Sequence, residues 1–423
     1  MNDQTKRYYI IRTVFQYTMF LLLGILVFFA IISGFRLPGR YVLSQYMLTY
    51  QFGFIPRGFI GSVMRLFCGD DFFKYLPHVI LAVGTTMLFF LWLLYTLYRA
   101  CMGKDTFLLA VLIGWFSICC YGAYYTFETG YYEQFGYVLV AFLTEQIARK
   151  EKKSQRYIIW SAIYIALSCL ISETNAFLVC PLLVFITFLQ IHKEHRQERK
   201  ECFRYIRNTC LLYLPSGIFC LIINFYRVPK STVQKLIDVV RTHTSSFPYL
   251  EALGEVMYGP RTPVVDWFTP FTWWKPHSFV LVFLVVTVLM VTFFIAYYLK
   301  DHKKAGIYFF MATVLAFLTY SIVFVAWDFD RYYCCMVVTN IIFSIYYLKI
   351  FARKENEEPI TTLSKLQRNI TIGVVCIATL IVFSTRDAKL WLMDNGTYNE
   401  SWSQVKDKLT QGVDGSGTFS LFD

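Results

Sequence analysis

The chain has 423 residues, 57% hydrophobic and 19% aromatic but only 16% charged, with a mean hydropathy of +0.47 and a formal net charge of +12. A soluble domain carries about a quarter charged residues, so this composition excludes a soluble enzyme, a disordered chain and a collagen-like chain. It also makes nucleic acid a poor reason for the basic balance, because the cations fall between long apolar runs.

Those runs each approach the roughly 20 residues that a helix needs to cross a bilayer. Read between charges, they predict an all-α polytopic membrane protein with eleven spans: 13–35, 76–98, 106–127, 130–148, 157–173, 175–192, 208–226, 277–299, 305–327, 332–348 and 369–385. The first run, Thr13 to Phe35, has no small-residue cleavage site and is read as a retained span. Basic residues collect in alternate connections, at Lys6–Arg12, Arg99–Lys104, Arg149–Arg156, Lys193–Arg207, Lys300–Lys304 and Lys349–Arg368. The positive-inside rule then predicts a cytoplasmic N-terminus and an outer C-terminus. The expected organisation is one transmembrane domain over 1–385, with long outer loops at 36–75 and 227–276, followed by an outer tail at 386–423. Short inner connections fit a bacterial cytoplasmic (plasma) membrane, and the lipid bilayer is the first expected partner.

The 12 cysteines fall mostly inside apolar runs, so they read as small buried hydrophobes and not as a disulfide framework. Cys334-Cys335 lacks the spacing of a zinc or redox pair, and no metal site is expected.

Several acidic residues sit too deep for a chain of this kind. Glu133 and Glu145 are separated by eleven uncharged residues, about 17 Å of helix, so a span anchored by Arg149 draws Glu133 below the outer boundary. The 36 residues between Arg156 and Lys193 have to supply two crossings, which puts Glu173 at the top of a tight outer hairpin. Glu128 closes the third span, and Trp327-Asp328-Phe329-Asp330-Arg331 forms a short outer turn with two carboxylates and a guanidinium. Ionisable groups at such depth face a water-filled cavity or a partner and are functional candidates, with helix capping and an ordinary surface turn as the alternatives.

The first outer segment contains Gln51-Phe52-Gly53-Phe54-Ile55-Pro56-Arg57-Gly58-Phe59-Ile60-Gly61. It is too broken by Pro and Gly for a span and suits a re-entrant or interfacial element leading into a short amphipathic helix. Arg57 there is a candidate clamp for phosphate, whether of a substrate or of surrounding lipid. A second amphipathic pattern follows at Val233–Arg241. Trp273 and Trp274 close the second outer loop, either as a membrane-interface belt or as platforms for sugar rings.

Two function classes use these residues. A transferase takes a carboxylate as base and Arg57 or Arg331 as phosphate partner. A transporter or flippase of a polyprenyl-linked or anionic substrate is the second class, although midplane charges and repeated halves are not evident. A non-catalytic assembly subunit is a third reading. The segments Gly53-Phe-Ile-Pro-Arg-Gly-Phe-Ile-Gly61 and Trp327-Asp-Phe-Asp-Arg-Tyr332, with the overall topology, resemble bacterial membrane proteins of surface-polysaccharide assembly, and through them GT-C-type glycosyltransferases and polysaccharide polymerases. The resemblance implies transfer of polyprenyl-phosphate-linked sugars at the outer face, beside other polysaccharide-assembly proteins. Glu128, Glu133, Glu173, Asp328 and Asp330 then compete for the base, with Arg57 and Arg331 on phosphate. Enzymes of that type usually carry an acidic residue soon after the first span, whereas Ser33–Gly69 has none, which favours an arginine-based mechanism without a cofactor.

Overall fold

The structure is a computed structural model that describes residues 3–35, 37–38, 40–102, 107–118, 120–149, 154–195, 197–243, 278–324 and 329–351. The described residues are mostly helical, with no strand among them. The expected span 369–385, the tail 386–423, Trp273, Trp274 and Asp328 lie outside them.

In chain order the helices are α1 Asp3–Gly34, α2 Arg40–Tyr46, α3 Gly58–Cys68, α4 Tyr75–Met102, α5 Phe107–Ile118, α6 Cys120–Phe127, α7 Tyr132–Arg149 and α8 Ser154–Ile171. They continue with α9 Asn175–Leu178, α10 Cys180–Glu194, α11 Arg199–Phe225, α12 Lys230–His243, α13 Ser278–Phe293, α14 His302–Tyr320 and α15 Phe329–Tyr346. Within the expected span 106–127 the described residues are helical on both sides of position 119, as α5 and α6. The span 175–192 divides at Val179, where Pro181 opens the first turn of α10. Proline fits there because it has no N–H to donate and the first turn needs none.

Among the described residues, four helical segments are long and apolar enough to cross a membrane: Thr13–Ile32, Leu76–Met102, Asn175–Glu194 and Arg199–Phe225. Leu108–Ser117, Arg156–Ile171 and Val282–Tyr297 are shorter apolar helices. Large apolar side chains lie exposed along α1 (Leu21, Phe28, Phe29), α4 (Ile80, Leu88, Leu91) and α11 (Leu211, Leu221, Phe225). In water such surface would be costly, and it suits contact with lipid.

α15 is the central element. It packs against α5, α6, α7, α10, α13 and α14, and its residues from Arg331 to Tyr346 are all buried. A second hydrophobic cluster lies at one end of the bundle, where α2, α3, the turn Gly69–Phe73 and α12 form a cap over the starts of α4 and α7 and the end of α8. This is the end that the charge pattern marks as outer. α12 matches the expected amphipathic pattern, burying Val233, Leu236, Ile237 and Val240. α3 buries Gly58, Ile60, Gly61 and Met64, while Leu66 and Phe67 are 81% and 83% exposed. An apolar outer face beside a packed inner face is the pattern of an interfacial helix.

The cysteine expectation needs correction. Cys169 on α8 and Cys220 on α11 are joined as a disulfide, with Cα atoms 5.7 Å apart. Their sequence separation of 51 hid the pairing, because only the packing of α8 on α11 brings them together.

Two glycines set how closely the cap can pack. A Cβ on Gly61 would collide with the carbonyl oxygens of Tyr46 and Leu48, and one on Gly58 would sit 2.7 Å from the Tyr50 ring. Tyr50 N–H donates to Ser62 Oγ at 2.8 Å, and that hydroxyl donates to Gly58 O at 2.7 Å, so the loop and α3 are one unit. Gly61→Ala is therefore expected to lower stability by about 1–3 kcal/mol, the usual cost of overpacking. Gly24→Ala, with nothing within 4 Å, is the control and should leave it unchanged or slightly raised. Thermal unfolding of both variants in detergent checks the difference.

Candidate functional site

Four of the sequence candidates meet where the cap rests on the bundle. Arg57 precedes α3 with φ 67° and ψ 0°, a left-handed conformation that costs an L-residue roughly 1–2 kcal/mol. Such strain persists only where the surroundings enforce it. Here the enforcing contact is Glu173: Arg57 Nε donates to its two carboxylate oxygens at 3.0 and 2.9 Å, and Nη2 donates to Oε1 at 2.5 Å. The arrangement is a fork on a carboxylate, with both residues more than nine-tenths buried.

Glu173 lies in the turn Ser172–Thr174 that joins α8 to α9. Asn175 Nδ2 donates to Ser168 O at 3.0 Å, and the Ser172 and Thr174 hydroxyls are 2.7 Å apart, so the turn is held from both sides. Thr174 donates its hydroxyl to Glu133 Oε1 at 2.8 Å. Glu133 occupies the first turn of α7 and is 3% exposed; a carboxylate at that position is favoured by the helix dipole. Glu133 Oε2 has no hydrogen-bond partner among the described residues.

Arg331, near the start of α15, places Nη2 3.8 Å from Glu133 Oε1. Its guanidinium carbon lies 4.4 Å from the Tyr131 ring centre and 4.7 Å from that of Tyr332, and Nη2 donates to Tyr332 Oη at 2.7 Å. Aromatic faces offset part of the cost of burying this cation. Consecutive residues of one turn thus join two arginine–carboxylate pairs, Glu173 to Arg57 and Thr174 to Glu133 beside Arg331. Glu128, at the end of α6, is 7% exposed, and it acts electrostatically on buried Cys335 together with Glu133 and Arg331. Asp330 opens α15 in its backbone, and its side chain lies outside the described residues.

A tyrosine layer lies on the cap side of the pairs. Tyr46 donates to Gly130 O and stacks on Tyr132 at 5.4 Å, and Tyr132 donates to Gln45 O at 2.6 Å. Gly130 has φ 88°, and a Cβ there would meet Ala82 and the Tyr46 hydroxyl, so this turn requires glycine. Burial, with the charge of Glu133 adding to it, holds the Tyr46 phenol well above its ordinary range. Burial alone pushes Tyr50 up to about 12. Both phenols therefore stay protonated at neutral pH, and that of Tyr46 donates to Gly130 O.

A second buried pair was not anticipated. Lys349, which the sequence reading placed in an inner connection, forms an ion pair with Glu145, and both are more than nine-tenths buried. Trp92 Nε1 donates to Glu145 Oε1 at 3.1 Å, and Lys349 Nζ lies 5.9 Å from the Tyr95 ring centre. The charge pattern offered no signal here, because Lys349 borders a run of cations and Glu145 lies one turn from Arg149.

The chain matches no known protein-family model, no curated protein and no solved structure.

The Glu145–Lys349 pair makes a direct prediction. Lys349→Met leaves a carboxylate buried without its cation and should lower stability by about 3–5 kcal/mol, whereas adding Glu145→Leu should recover most of that loss. Thermal unfolding of the single and double variants decides it: equal losses in both would mean that the pair is not desolvated.

Proposed function

We propose that the chain is a GT-C-like membrane glycosyltransferase or polysaccharide polymerase, with its N-terminus cytoplasmic, using polyprenyl-phosphate-linked sugars at the outer face of a cell membrane. The observation that carries this reading is the joining of two arginine–carboxylate pairs, through Glu173 and Thr174, beneath an interfacial cap. A transfer from a lipid phosphate needs a base, a positive charge and access from the bilayer. Glu133, the two arginines and the exposed Leu66–Phe67 face supply candidates for each.

Glu133 is the base in this reading. Thr174 orients one carboxylate oxygen, and the other has lone pairs to accept the proton of an acceptor hydroxyl. The acceptor oxygen attacks the anomeric carbon of the donor, the bond from that carbon to the phosphate oxygen breaks, and the polyprenyl phosphate leaves with the electron pair. Arg331 stabilises the charge on the departing phosphate. Its guanidinium lies 3.8 Å from Glu133 Oε1, which puts the base and the phosphate partner of this reading side by side. The Arg57–Glu173 fork holds the turn that presents Thr174, and a phosphate reaching Arg57 would replace the carboxylate in the same two-pronged geometry. Glu128, Asp328 and Asp330 remain candidates for binding the acceptor, and Trp273 and Trp274 for stacking on sugar rings.

One observation favours a transporter instead: the Glu145–Lys349 pair joins α7 to the π-helical turn Tyr347–Phe351 that directly follows α15, at the opposite end of the bundle. Charges at both ends of one helix pair suit a path across a membrane.

Reconstitution of the full chain with a panel of labelled polyprenyl-phosphate and polyprenyl-pyrophosphate sugars separates the two. Release of free lipid carrier and formation of a glycosidic product are expected from the wild type. Glu133→Gln should reduce turnover by about 10²–10⁴-fold, the range of a general base. Arg331→Lys should lose about 10²-fold or more while the protein still inserts. Label that crosses the vesicle membrane with a pH-dependent rate and no new glycosidic bond would replace the transferase reading with transport.

A further inference from the structure

A thiol lies against the disulfide in the bundle wall behind the site. Cys180, the first residue of α10, places its Sγ 3.6 Å from Cys169 Sγ, and Cys169 is the half of the disulfide carried by α8. The sulfurs of Cys169, Cys180 and Cys220 come from three helices and all lie within 4.8 Å of one another. With two of them already bonded, the group offers one thiol rather than a set of thiolates for a metal ion. Residues 170–179, between Cys169 and Cys180, contain the turn that carries Glu173 and Thr174.

We propose that Cys169, Cys180 and Cys220 form an internal thiol–disulfide exchange switch beneath this turn. The Cys180 thiolate attacks Cys169 Sγ, the Cys169–Cys180 bond forms as the Cys169–Cys220 bond breaks, and Cys220 leaves as a thiolate that takes up the proton given up by Cys180. One disulfide and one thiol stand on each side of the step, so it consumes no oxidant or reductant. In the first state α8 is tied to α11. In the second the bond closes a ring across the α8–α10 hairpin, around the residues that hold Glu133 and Arg57. The neighbour that restrains Glu173 and Thr174 is thereby exchanged while every polar contact of the turn is left to reform. The proposal stands whether the site transfers sugars or moves a substrate.

The test is disulfide mapping on the full chain, purified without reductant into lipid nanodiscs. Samples held at pH 8 are quenched in acid at intervals, denatured, alkylated with N-ethylmaleimide, digested without reduction and analysed by mass spectrometry. Two isomers are expected: Cys169–Cys220 with alkylated Cys180, and Cys169–Cys180 with alkylated Cys220. Cys180→Ser should lose the second isomer entirely. Cys220→Ser, oxidised with diamide, should form the Cys169–Cys180 bond in full. Wild-type protein that yields the Cys169–Cys220 bond alone at every time, or three alkylated cysteines, overturns the proposal regardless of how the variants behave.

Discussion

The bidentate contact between Arg57 and Glu173 is the constraint on which the cap end of the molecule depends. A buried guanidinium is costly unless it is paired, and a carboxylate that presents both oxygens to it gives the strongest such pairing. The fold meets that need across 116 residues, between a loop with a left-handed arginine and a turn between two helices. Once Glu173 is fixed, Thr174 is fixed as well, and its hydroxyl reaches Glu133. The first loop, α7 and the start of α15 are in this way referred to a single turn, and the tight glycine contacts of α3 let the loop lie close enough to reach it.

A second consequence concerns α7 and α15. Glu133 meets Arg331 near the start of both helices, and Glu145 near the end of α7 meets Lys349 just past the end of α15, so the two run in the same direction. Between the pairs, the Tyr137 hydroxyl donates to Cys335 O at 2.9 Å and lies 3.1 Å from Thr339 Oγ1. Ion pairs at the ends and a buried hydroxyl contact between them fix the register of the two helices more narrowly than apolar packing would. Side chains such as Leu or Val can slide by small steps at little cost, whereas a buried charge cannot leave its partner. That register sets the place of Arg331 relative to Glu133.

The helical class was legible because the apolar runs are long, and several of the deep charges were legible because the spans containing them are too short without them. Glu133 and Glu173 were marked by such length arguments, and both lie buried at one end of the bundle. Arg57 was marked by the Pro and Gly around it, of which Gly58 and Gly61 in the structure permit the close approach of α3. The pairings were not legible. Which arginine faces which carboxylate depends on how α3 rests on the end of α8, and no local pattern records that. Lys349 was assigned to a connection because it borders other cations, and its burial follows from the packing of α15 against α7. Cys169 and Cys220 read as ordinary apolar residues for the same reason: the contact that joins them is between helices.

The balance of charge at the site bears on the proposed chemistry. Among the described side chains, Glu128, Glu133 and Glu173 outnumber Arg57 and Arg331 by one. A phosphate entering such a place adds negative charge where water cannot screen it, which is costly. In the proposed transfer that cost does not grow, because the proton leaving the acceptor hydroxyl neutralises Glu133 as the departing phosphate gains its charge. The negative charge moves from one side of Arg331 to the other, and the total does not change. Arg331, 3.8 Å from Glu133 Oε1 and flanked by the rings of Tyr131 and Tyr332, lies where it can face the charge on either side. A tighter pair, such as the fork that Arg57 makes with Glu173, would resist that exchange, which is why the two arginines are assigned different roles.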